Sequence, residues 1–204
     1  MKLYYLPGAC SLTIHISLEW IGKPYEARKM ERDAIKAPDY LKINPMGAVP
    51  AITDGDFNLN QNLAILSYLN AKHPEAGLLG DGTPKGLAEA MRWLAFINSD
   101  LHRTFSLVFG PGRYVSDTAA QQELVASASK TLRGYFAMLD ARLEGRDYLT
   151  GAKHTAADAY LFVVLRWAHA KNLDLSGLAN LPKFSARMKA DPGVAAALKA
   201  EGIE

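Results

Sequence analysis

Cysteine is nearly absent: Cys10 is the only one in 204 residues. One thiol excludes an intrachain disulfide and any zinc site built from several thiolates. Long apolar runs are missing too. The longest candidate, Ala159 to Leu165, falls far short of the ~20 residues a membrane span needs, so no membrane partner is expected. The opening M-K-L-Y-Y-L-P-G does not read as a secretory signal, because Pro7 and Gly8 interrupt the apolar stretch. Charge of one sign is also lacking. Lys plus Arg number 23 against 21 acids, a net of +2 with no block of five like charges, which argues against nucleic acid as the main partner. His15, His73, His102, His154 and His169 show no paired metal-ligand spacing, so no metal is expected. G-x-G-x-x-G, Walker and G-x-S-x-G motifs do not occur. What is present, 49% hydrophobic and 22% charged residues, is ordinary globular composition, and a disulfide-free cytoplasmic protein is the expectation.

The pattern changes near residue 75. Before it, β-type runs alternate with helical spacing. Leu3 to Leu6 reads as a strand. Ile14, Leu18 and Ile21 then predict a helix ending at Gly22. Tyr25 to Met30 reads as a second strand. Ala48–Thr53 and Phe57–Leu59 flank Asp54-Gly55-Asp56, a hairpin signal, and Gln61 to Ala71 reads as a helix. After a Gly/Pro/Asp-rich segment from Pro74 to Gly86, everything is helical. One pattern runs from Leu87 to Phe105 and stops at Gly110-Pro111-Gly112. A second spans Thr118 to Leu143, and a third opens on a near capping box, Thr155-Ala156-Ala157-Asp158. Two shorter helices near Pro182–Ala190 and Pro192–Ala200 each carry Pro in the first turn. This divides the chain into a small α/β domain (1–76), a linker (77–86) and an all-α domain (87–204), with Trp93, Tyr135 and Trp167 read as core.

Cys10 lies at the turn from the first strand into the first helix. The free N–H groups and positive end of that helix favour a thiolate, so a lowered thiol pKa is expected, with Ser11 and Thr13 able to cap the helix or donate to the sulfur. The plain alternative is a buried, inert cysteine. With no second thiol to resolve a mixed disulfide, thiol chemistry here needs an external thiol such as glutathione. Val49-Pro50 opens a strand. It is either structural or, with a cis bond, it turns the Val49 backbone outward to pair with a peptide-like ligand. Gln61-Asn62 opens a helix and suits either simple capping or a bound carboxylate. His102 and Arg103 sit beside, not in, an apolar stripe, and a lone helical histidine is often structural.

Taken together, these segments resemble the cytosolic glutathione transferases, and the bacterial beta class among them. K-L-Y-Y-L-P-G-A-C-S-L is similar to the beta-class opening, with its cysteine. Residues 43–50 (I-N-P-M-G-A-V-P), Leu63-Ala64-Ile65 with Tyr68-Leu69, Trp93 to His102, and Thr155 to Phe162 resemble family segments in the same order. The resemblance implies a thioredoxin-like N-terminal domain, a helical C-terminal domain and a homodimer. It implies Cys10 facing the glutathione sulfur and Val49, before a cis Pro50, pairing with the tripeptide. It also implies Gln61 and Asn62 at the γ-glutamyl end, and His102 and Arg103 reaching over from the helical domain. The expected set is therefore Cys10 and His102 as catalytic, with Ser11, Ala48, Val49, Pro50, Gln61, Asn62 and Arg103 binding glutathione. Tyr114, Phe109 and Leu107 line the pocket for a small hydrophobic electrophile. Four positions depart from the family pattern: Met46 for Lys, Gln61 for Glu, Asn62 for Ser or Gly, and Ala95 for Asn. At about 1 kcal/mol per lost hydrogen bond, together they shift glutathione affinity by about one to two orders of magnitude.

Three functions follow as alternatives. The first is detoxifying conjugation of glutathione to apolar electrophiles. The second is a glutathione-dependent disulfide or peroxide reductase in which Cys10 itself forms the mixed disulfide. The third is a binding or regulatory protein that keeps the fold without catalysis.

Overall fold

The computed structural model describes all 204 residues. The first strand, β1 (Lys2–Tyr5), leads through a turn at Gly8 (φ +69°) into α1 (Leu12–Ile21), which ends at Gly22 in the left-handed conformation. β2 (Glu26–Lys29) returns parallel to β1, as a helical crossover permits. A short turn of helix, α2 (Pro38–Leu41), precedes the hairpin of β3 (Ala51–Asp54) and β4 (Phe57–Asn60), and α3 (Asn62–Lys72) follows. The sheet order is β2-β1-β3-β4, with β3 antiparallel to both of its neighbours. Gly55, at φ +64°, supplies the positive angle the two-residue hairpin loop requires. β3 starts at Ala51, three residues later than the sequence suggests, because Asn44 to Pro50 is folded as an irregular loop.

The two faces of the sheet bury different side chains, as strand alternation dictates. Leu3, Tyr5 and Ile52 join the main core against α1 and α3, whereas Tyr4 and Ala51 pack with Met30 and Tyr40 on the opposite face. Tyr40 then donates to the Ala48 carbonyl at 2.7 Å and so ties the 44–50 loop to that second cluster.

The rest is helical. α4 (Pro84–Phe96) begins inside the segment expected to be linker, capped by Thr83, whose Oγ1 accepts from the Gly86 N–H. It does not run uninterrupted to Phe105. A π-helical stretch, Ile97–His102, separates it from α5 (Arg103–Phe109). Such widened turns are uncommon and concentrate at functional sites. α6 (Thr118–Arg142), α7 (Ala156–Ala170), α8 (Asn180–Ala190) and α9 (Pro192–Glu201) complete the chain. α7 is apolar nearly all round and is buried at twelve positions, as befits a central helix. At its start the Asp158 carboxylate accepts from the Thr155 N–H, Thr155 Oγ1 and Leu149 N–H at 2.8–3.0 Å. Trp93 and Trp167 are core residues as expected, while Tyr135 is only half-buried. α1 packs between the sheet and helices α7 and α9, so one continuous core joins both parts of the molecule. The result is a thioredoxin-like four-stranded unit followed by a helical unit.

Candidate functional site

Cys10 is half-buried at the entrance to α1. Its thiol donates to the Val49 carbonyl at 3.3 Å. The expected fall in its pKa does not occur. Burial pushes the Cys10 thiol up to about 12, and this outweighs the lowering effect of the Cys10 and Ser11 N–H groups. The helix-end donors act in the expected direction, but removing a thiolate from water costs more.

Ser11 also departs from expectation. It is fully buried, and its hydroxyl both donates to the Leu6 carbonyl and accepts from the Leu6 N–H, each at 3.2 Å. Its side chain closes the β1–α1 turn instead of capping the helix. Thr13 is buried with no hydrogen-bond partner for its hydroxyl.

The peptide bond between Val49 and Pro50 is cis, and the Val49 N–H has no partner in the chain. Ala48 is exposed, but its carbonyl is occupied by Tyr40 and by Asn44 Nδ2, at 2.7 Å each. Gly47 cannot be replaced without disturbance: φ is +56°, and a Cβ would sit 2.8 Å from the Ile35 carbonyl oxygen.

Gln61 is exposed and holds φ +71°, an angle a residue with a side chain rarely adopts. Its amide donates to Met46 Sδ at 3.2 Å. Asn62 is buried. Its Nδ2 donates to the Cys10 carbonyl at 3.4 Å and its Oδ1 has no partner. Cys10, Val49 and Asn62 are thus brought together, with Gln61 alongside.

His102, at the end of the π stretch, approaches from the helical unit. Its Nδ1 lies 2.6 Å from the Tyr160 hydroxyl, which donates to Asn98 Oδ1 at 3.1 Å. Burial lowers the His102 pKa. Tyr160 is fully buried, and its phenol is held well above its ordinary value, chiefly by burial. Cys10 and Asn62 also bear on that phenol, so the two units meet there. Arg103 is exposed and makes no ion pair.

Trp167 connects the remaining pieces. Its Nε1–H donates to the Gly8 carbonyl at 2.8 Å, and its ring packs edge-to-face with His102 and Phe109 at centroid distances of 4.9 and 5.5 Å. Phe109, packed on Trp167, and Tyr114, bonded to Ser106, stay 46% and 42% exposed. A cavity of about 650 Å³ lies elsewhere, between residues 74–89 and the 148–155 loop, and borders none of these residues. No three His, Cys, Asp or Glu side chains converge in a metal-binding arrangement.

Sequence reasoning missed Tyr160, Asn98 and the polar role of Trp167. Tyr160 and Trp167 sit among apolar neighbours on α7 that mark them as core, Asn98 lies in the π stretch, and nothing local reveals the pairing of the two.

This arrangement has close counterparts. Residues 1–71 match the glutathione S-transferase N-terminal domain and residues 91–192 the glutathione S-transferase C-terminal domain. A glutathione S-transferase of Xanthomonas campestris pv. campestris is 49% identical over the full length of both chains. A solved glutathione S-transferase from Xylella fastidiosa is 45% identical with a TM-score of 0.96, covering 100% of this chain and 99% of that one. A sphingomonad glutathione S-transferase complexed with glutathione is 34% identical with a TM-score of 0.87 over the whole of both chains. The chain belongs to the glutathione S-transferase family.

Proposed function

We propose that this protein conjugates the thiol of glutathione to small apolar electrophiles, with Cys10 as a hydrogen-bonding partner of the glutathione sulfur instead of the nucleophile. The observation that carries this reading is the unpartnered Val49 N–H next to the Cys10 thiol. An extended tripeptide adds to such an edge as a short strand, which brings its cysteinyl sulfur to Cys10. Gln61, exposed at the start of α3, faces the γ-glutamyl end, with Asn62 beside it. Arg103 offers an unpaired guanidinium to a carboxylate. His102 is the base that takes the thiol proton, and Phe109, Tyr114 and Leu107 receive the electrophile. Ala48 and Pro50 shape the loop, and Ser11 serves only to support the turn.

A protonated Cys10 weighs against the reductase reading, because a thiol in that state is a poor nucleophile. We also read the molecule as a homodimer, with Met46, Phe57 and Leu87, exposed by 62%, 44% and 42%, among the apolar side chains available to a second copy. A single unpaired cysteine fits a reducing, cytoplasmic setting. We keep residues 77–86 as the working division between domains.

The test is calorimetric titration of reduced glutathione into the wild type and Cys10→Ala, alongside conjugation assays with chloro-nitro-aromatic and epoxide substrates. Binding and conjugation that survive the substitution support the reading. Absence of both at millimolar glutathione in the wild type sinks it and favours a non-catalytic binding protein.

A further inference from the structure

Asn98, Tyr160 and His102 form a hydrogen-bonded chain whose direction is set by its far end. The Tyr160 hydroxyl has a single proton; beside Asn62, which also bears on the phenol, it lies 3.1 Å from Asn98 Oδ1 and 2.6 Å from His102 Nδ1. An amide oxygen can only accept, so the phenol proton goes to Asn98. The phenol oxygen then faces His102 as an acceptor, and Nδ1 must carry a proton. A neutral imidazole has one N–H, so Nε2 is left with a bare lone pair.

We propose that Tyr160, backed by Asn98, is a positioning residue that holds neutral His102 in the Nδ1–H tautomer and so presents Nε2 as the base for the glutathione thiol. Three further features agree. Tyr160 is fully buried, so water does not compete for its hydroxyl. The edge-to-face contact with Trp167 restrains the imidazole from turning over. His102 Nε2 has no partner in the chain and is not among the sealed polar atoms, so it remains open to a ligand. Burial keeps the ring neutral, the state in which it can act as a base. Asn98 and His102 lie four residues apart within the π stretch, and the widened turn brings both to the same hydroxyl.

In the step this prepares, the S–H bond of glutathione breaks and an N–H bond forms at Nε2, with the electron pair staying on sulfur. The sulfur then attacks the electrophile, whose leaving group or opened ring takes the displaced pair. The imidazolium is stabilised by the existing Nδ1–H bond to Tyr160 and returns its proton to solvent or product. The thiol's identity rests on the transferase reading above, whereas the tautomer rests on the geometry alone.

Nitrogen-15 NMR of histidine-labelled full-length protein without ligand tests the tautomer directly, with His102→Gln used to assign the resonance. The expected result is a proton on Nδ1 and a bare Nε2. A proton on Nε2 instead, which would follow if the Asn98 amide were turned over, overturns the proposal. Tyr160→Phe should return His102 towards the Nε2–H form common in free imidazole. It should lower kcat by about fivefold to tenfold, within what a misplaced general base costs, with the glutathione KM within about twofold. Asn98→Asp, which keeps an acceptor oxygen, should retain the Nδ1–H form, and Asn98→Leu should lose it. If Tyr160→Phe is poorly folded, the wild-type spectrum and the Asn98 pair still decide. An unchanged spectrum and kcat in a folded Tyr160→Phe also overturns the proposal. Loss of all conjugation in the wild type would instead strike at the function reading and leave the tautomer to the spectrum.

Discussion

The Glu201 carboxylate accepts a hydrogen bond from the Gly8 N–H at 2.8 Å, two residues before Cys10, and its other oxygen lies 2.9 Å from His15 Nδ1. Both side chains of that pair are fully buried. Trp167 holds the Gly8 carbonyl, so both sides of this turn are tied to the helical unit. The loop that carries Cys10 therefore owes its placement to helices α7 and α9.

Glu201→Ala removes two of these contacts and leaves the Gly8 N–H and His15 without partners. A destabilisation of about 3 kcal/mol is expected, the size typical of a broken buried pair. Urea unfolding measures it, and a loss below about 0.5 kcal/mol would contradict the role assigned to this carboxylate.

Cys10 should stay protonated through neutral pH, given a thiol pushed up to about 12. Absorbance at 240 nm, compared with Cys10→Ala, should show no thiolate step between about pH 6 and 9, where an ordinary cysteine titrates. Disulfide reduction should be weak in the wild type, and conjugation should survive Cys10→Ala within about tenfold. A thiolate step near pH 7 would restore the reductase reading.

His102 has a lowered pKa because burial disfavours its charged form. Between that value and the ordinary imidazole value of about 6.5, the unfolded chain takes up a proton that the folded chain does not. Stability from this group is therefore complete above about 6.5 and is lost as the pH falls below it. His102→Gln should flatten this part of the stability–pH curve in denaturant titrations. A curve identical to that of the wild type would show that His102 titrates normally.

Asp158 is an acid with the opposite linkage. Burial raises it to about 6 despite three donors. The folded state holds its proton up to that value, while the unfolded carboxyl releases it near 3.9, so this group's contribution to stability declines as pH rises from about 4 to 6. Asp158→Asn turns an N–H₂ towards donors and should cost about 2 kcal/mol at pH 7. Thermal unfolding should show a larger deficit at pH 4 than at pH 7, because the wild type gains stability from the Asp158 proton there and the amide does not titrate.

Gln61→Gly should relieve the φ of +71° and stabilise the fold by about 1 kcal/mol, while weakening glutathione binding through the lost amide. Paired unfolding and calorimetric measurements separate the two effects. A destabilised variant would mean the Gln61 backbone carries no strain.

The sequence by itself determined the local punctuation of this molecule. Asp54-Gly55 makes the hairpin, Gly22 ends α1, Pro192 opens α9, and Thr155 with Asp158 starts α7. Each depends on dihedral preferences or side-chain-to-backbone bonds spanning a few residues, which composition and spacing encode directly. The resemblance of Cys10, Val49-Pro50 and Gln61-Asn62 to a known family also located the candidate site. Tertiary structure alone decided the state of that site. Ser11 looked available and is sealed, Cys10 looked activated and is held protonated, and Tyr160 looked like core filling and controls His102. These outcomes rest on burial and on partners distant in the chain, 58 residues for His102 and Tyr160 and 193 for Gly8 and Glu201. Desolvation and hydrogen-bond direction are set by what packs against a group, and no short stretch of sequence specifies that.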